Sequence, residues 1–136
     1  LVVLDPANVP PLEAGEILAR YILASSHFRR SDNSVKPDAF IPHPRIELSL
    51  TRHFQATEEE LWNEGRRVSL LRQLTLYGRA DVSVDAFLSE SLQVVAKPLP
   101  ENPNHADAIG WPANKAEQKI KALEIARNAA FVSKPA

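Results

Sequence analysis

The sequence predicts an α+β domain, a small and mainly antiparallel sheet of three to five strands packed on two or three helices. Three observations carry that expectation. Residues 45–53 alternate strictly, with Ile46, Leu48 and Leu50 on one side of an extended chain and Arg45, Glu47, Ser49, Thr51 and His53 on the other. Residues 74–82 alternate again, placing Leu74, Leu76, Gly78, Ala80 and Val82 opposite Thr75, Tyr77, Arg79 and Asp81. Between them Thr57 and Glu60 precede Leu61 and Trp62 at the spacing of a helix capping box. Strands interleaved with helices fit one sheet with helices on one face.

Length and composition bound the rest. A chain of 136 residues with 44% apolar and 24% charged side chains is expected to fold as a single domain, 1–136, with a sizeable core. Its net charge of −1 points neither to nucleic acid nor to an acidic membrane. No run reaches the eighteen or so apolar residues of a membrane span, so no membrane partner is expected. Cysteine is absent, which excludes disulfides, thiolate metal sites and cysteine nucleophiles, and tilts the expected compartment to the cytoplasm.

In chain order, residues 1–8 hold a short apolar run, Leu1 to Leu4, that reads as a strand or a trimmed segment. Leu12 to Ser25 reads as a helix, because Leu12, Ile17, Leu18, Tyr21 and Ile22 recur at helical spacing behind Pro11. Residues 31–39 read as a polar loop. Pro42 and Pro44 make the strand that follows start abruptly or lie at a sheet edge. Thr57 caps a helix expected to end between Val68 and Leu71, its first turn made of glutamates that suit the positive helix end. Gly78 marks a bulge or a close backbone approach. A helical turn begins at Ser83, and Leu92 to Lys97 reads as a strand. Residues 98–112 form a proline-rich loop in which His105–Ile109 can be a brief strand. The last element is a helix from Pro112 or Ala113 to Val132, burying Ala116, Ile120, Leu123, Ala126 and Ala130.

Chemistry has two places to sit. If the alternating strands turn their polar sides the same way, Arg45, Glu47, Ser49, Thr51 and His53 neighbour Tyr77, Arg79 and Asp81. Arginine forks there would grip an anion, and His53 titrates near neutrality. The second place is the loop that carries Asn104, His105 and Asp107, where an aspartate two residues from a histidine can fix its tautomer. Both places have a plainer explanation. A solvated sheet face accounts for the first, and turn-forming Asn and Asp account for the second.

The first functional reading is an interaction or regulatory module that binds a macromolecular partner, another protein or a second copy, through the polar sheet face or the 98–111 loop. Its ligand-binding residues would be Arg45, Glu47, Ser49, Thr51, Tyr77, Arg79 and Asn104. The alternative is a metal-independent phosphoesterase-like enzyme. In it His53 and His105 exchange protons, Asp107 orients His105, and Arg45 and Arg79 hold the anion. A further alternative is RNA binding through Arg29, Arg30 and the C-terminal lysines. No cofactor is implied: the chain has no glycine-rich phosphate loop, no dinucleotide fingerprint and no local metal-ligand spacing among its four histidines.

Overall fold

The alternating stretches become strands, and two segments that read as helix join them. The computed structural model describes residues 4–136, so the Leu1–Leu4 run falls mostly outside the described residues. The strands are β1 (Ile17–Ile22), β2 (Phe28–Arg29), β3 (Ser34–Val35), β4 (Leu48–Arg52), β5 (Gly78–Ser83), β6 (Gln93–Ala96), β7 (His105–Ile109) and β8 (Ala130–Ser133). The helices are α1 (Glu58–Arg72), α2 (Val84–Leu88) and α3 (Lys115–Arg127). All pairings are antiparallel, in the order β6-β7-β4-β1-β5-β8, and β2 pairs with β3 as a separate hairpin. The α+β class and antiparallel sheet are as expected, but the main sheet has six strands, not three to five.

The extra strands come from two misread segments. Ile17–Ile22 is a strand, not the middle of a helix, and it lies inside the sheet between β4 and β5. Leu18 and Ile22 enter one core cluster while Tyr21 packs against a second, so both faces of the strand are covered. A strand covered on both faces reads as an unbroken apolar run, which imitates a helix stripe. The second segment is the chain end. The last helix stops at Arg127, Asn128 caps it, and Ala130–Ser133 turns back as β8 against β5. The buried side of α3 is also rotated from the expected one. Gln118, Ala122, Ile125 and Ala126 are buried, whereas Ile120 is 67% exposed.

Other elements follow their signals. Thr57 and Glu60 make both bonds of the capping box, and α1 ends at Gln73 in the left-handed region. Ser83 precedes α2. The 31–39 segment is not all loop, since β3 and a 3-10 turn at Pro37–Phe40 occupy it. The strand after Pro42 and Pro44 does not lie at an edge; β4 sits between β7 and β1. Its pairing with β1 covers only Leu18 with Arg52 and Ala19 with Thr51. Beyond that point Arg20 takes over, donating to the carbonyls of Ser49 (3.0 Å) and Ala39 (2.9 Å).

The helices are not confined to one face. α3, α2 and the Pro37–Phe40 turn cover the face of Leu18, Leu48, Leu50, Ala80 and Val82. Trp62 of α1 packs on the other face, with Tyr21, Leu23, Leu76 and Val132. The polar side over β1, β5 and β8 is therefore roofed by α1, and this decides what the expected site can be.

Candidate functional site

Under α1 the polar row of β5 is closed into an ion-pair chain. Arg79 is 2% exposed and lies over the Trp62 ring at 4.8 Å. Its Nη1 and Nη2 donate to the Glu58 carboxylate at 2.8 and 2.9 Å, and Nε donates to Asp81 at 2.9 Å. His53 Nε2 meets the same Asp81 oxygen at 2.9 Å. Burial raises the Asp81 carboxyl, but the bond from His53 and then those from Arg79 outweigh it and leave the group below its usual range. Burial likewise works against the Arg79 charge, and Glu58 and Asp81 overcome it. The sequence rightly put Arg79, Asp81 and His53 within reach of one another. It did not show Glu58, which the first turn of α1 delivers.

This arrangement corrects the role expected of Arg79. A guanidinium whose fork is already filled by two carboxylates has little left for a substrate anion. Arg45 does not join it either; it is exposed, ahead of β4, and its carbonyl accepts from Gln118 Nε2 at 3.2 Å. Tyr77 leaves the polar row altogether. Its ring packs against Phe28 with centroids 5.8 Å apart, on the side of the first core cluster.

The two histidines are held apart. Asp81, Ala19, Thr51 and His105 form one cross-strand row. Three strand spacings, about 14 Å, therefore separate the Asp81 and His105 backbones. The ring of His53 is fixed to Asp81, while His105 Nδ1 lies 3.0 Å from the Lys97 carbonyl on the far side of β7. A carbonyl only accepts, so Nδ1 carries the proton and Nε2 faces Asp107 at 3.6 Å. Asp107 does stand beside His105 as expected. Burial lifts its carboxyl above the usual range, against the charge of His105. The proton exchange expected between His53 and His105 has no common cleft. Among the described residues no three of His, Asp or Glu come together as metal ligands.

What the fold does build is a cleft of about 650 Å3 between α1 and the loop at residues 100–104. Its floor is polar and buried: Thr51, Asn102 and Asn104 are 6, 6 and 7% exposed. Asn102 Nδ2 donates to Thr51 Oγ1 (3.1 Å), and Asn104 Nδ2 to the Phe54 carbonyl (2.9 Å). The Asn104 side-chain carbonyl has no partner among the described residues. Glu60, Glu64, Glu101 and Arg67 stand on the walls, and Arg67 is tied to Glu64. Three acids against one base leave the cleft acidic.

Thus Thr51 and Asn104 line the cleft, whereas Ser49 lies exposed within β4 and Glu47 exposed just ahead of it. Asn102 and the wall residues of α1 were missed. Their signal is faint: Asn102 and Pro103 read as turn residues, and the wall of α1 reads as its solvated side.

Comparison with known protein families, with curated proteins and with solved structures finds no match to this chain.

Proposed function

We propose that the protein is an interaction module, acting in the cytoplasm, that holds an extended segment of a partner protein along α1. A basic or amide-bearing side chain of the partner would enter the cleft beside the 100–104 loop. The observation that carries this reading is the continuity of one helix face. Glu60, Asn63, Glu64 and Arg67 wall the cleft, and the next positions at helical spacing are Leu70 and Leu71. Those leucines are 78% and 75% exposed. A single stripe thus passes from acidic cleft to bare apolar surface, the pattern of a surface that takes a chain with a cationic residue followed by hydrophobic ones.

Chemistry supports the choice of ligand. Glu101 makes no salt bridge among the described residues, so a cation entering the cleft meets a free carboxylate. Thr51, Asn102 and Asn104 offer amide and hydroxyl groups for a peptide backbone, with burial to strengthen each bond.

Selection from a displayed library of random peptides tests the proposal. Expected are binders that place Lys or Arg a fixed distance from an apolar pair, weakened about tenfold or more, a loss of roughly 1.4 kcal/mol, by Glu101→Lys and separately by Leu71→Asp. Both changes lie on the surface and should leave the melting temperature in place. Binders indifferent to both substitutions would remove α1 and its cleft as the interface.

A further inference from the structure

The β2–β3 hairpin and the last turn of α3 enclose a second hollow, of about 230 Å3, which shares no lining residue with the α1 cleft. Its chemistry follows from hairpin register. Phe28 pairs with Val35 and Arg29 with Ser34. Phe28 and Val35 are buried in the core, so alternation turns Arg29, Ser34 and, two residues on, Lys36 the other way. Asn33, at φ 56°, sits in the turn that joins the strands, and Asp32 Oδ1 accepts the Ser34 amide at 3.0 Å. Arg127 of α3 lines the same hollow, together with Val35 and Ala126.

The lining therefore holds three cationic side chains from three places in the chain and no carboxylate. Arg29 and Lys36 form no salt bridge among the described residues, although Lys36 is half-buried. Two acids stand outside the hollow. Glu124 accepts from Arg127 Nη1 at 2.7 Å, which leaves Nε and Nη2 of that guanidinium open. Asp32 has its carboxyl held below the usual range by the Ser34 hydrogen bonds and, less, by Arg29. Like charges gathered around a concavity repel unless an anion lies among them. Two guanidinium groups and an ammonium match the oxygens of a phosphate.

We propose that this hollow binds the phosphate group of a small phosphate monoester. Arg29, Lys36 and Arg127 neutralise the dianion, while the Ser34 hydroxyl stays with Asp32. Leu123 and Ala126 supply an apolar wall for the carbon side of the ester. The volume falls below the roughly 300 Å3 at which pockets for drug-sized ligands begin, which favours a phosphate with a short substituent over a whole dinucleotide.

Titration of isotope-labelled protein with inorganic phosphate, and separately with glycerol 3-phosphate, tests the site by amide shifts. Saturable shifts at Arg29, Ser34, Lys36 and Arg127 are expected. Affinity should weaken by about tenfold or more in Lys36→Glu and, independently, in Arg127→Glu. The two substitutions lie on separate elements, and each is paired with a melting curve, so one fold defect cannot produce both losses. Tighter binding of glycerol 3-phosphate assigns the ester; equal affinities assign inorganic phosphate as the natural occupant. Absence of saturable shifts at tens of millimolar of either probe overturns the proposal, as do shifts that persist in both variants.

Discussion

Two arginines show how much a single side chain can fix. Arg79 and Arg52 are 2% and 1% exposed, and each is answered by carboxylate and by an aromatic face. Arg52 grips Glu16 with two bonds and donates to the Pro10 carbonyl at 2.8 Å, tying the chain ahead of β1 to the end of β4. Arg79 ties the start of α1 to β5 through Glu58 and Asp81. Replacing Arg79 with Ala leaves Asp81 under the helix with only His53 for a partner. The expected loss is about 3 kcal/mol, the low end for breaking a buried pair, because Glu58 is a largely solvated partner. Arg79→Lys should recover part of this, since an ammonium keeps the charge without the fork. Urea unfolding of both variants measures the difference, and equal stability of Arg79→Ala and the parent would refute the ion-pair role. Alternation gave the two polar sides, but β1, which read as helix, is the strand that sets His53 beside Asp81. Arg52 shares the side of β4 that carries Leu48 and Leu50, and there Glu16 answers its charge.

At the scale of elements, local signals were legible where one residue sets the geometry. Thr57 with Glu60 announced α1, and Gly78 announced a close approach. A Cβ at Gly78 would meet the Val132 carbonyl and, at 2.8 Å, the Phe131 ring. Gly78→Ala should therefore push β8 off the sheet edge. Faster hydrogen exchange at Arg79 and Val132, with little change in β4 and β7, is the expected pattern. Thr57→Ala removes one cap bond from α1 and should cost about 1 kcal/mol, read from the denaturation midpoint. What stayed illegible depends on neighbours. β1 looked helical because both its faces are covered. The face of α3 was misjudged because Gln118, buried and bonded to the Arg45 and Pro112 carbonyls, breaks the apolar pattern, while Ile120 lies bare.

For the molecule as a whole, the sequence placed the polar sides of two strands on one face but not the helix above them. That is why a candidate anion pocket turned out to be a filled ion-pair chain, while the open cleft formed at the loop margin. The two aspartates on the polar side of the sheet titrate in opposite senses. Asp81, held below the usual range chiefly by His53 and Arg79 against burial, stabilises the fold above the unfolded carboxylate value of about 3.9. That contribution is lost as pH falls through the folded value. Asp107 runs the other way. Burial raises it, so the folded state holds its proton more tightly, and stability declines as pH rises from about 3.9 through the folded value. Asp107→Asn removes the second effect and keeps the first. The variant should be more stable than the parent at pH 7, and the gain should vanish below about pH 4, where Asp107 is protonated in both states. Denaturant midpoints across this range read the crossing directly. A variant destabilised at pH 7 would mean that the His105 contact at 3.6 Å outweighs the cost of burying the carboxylate.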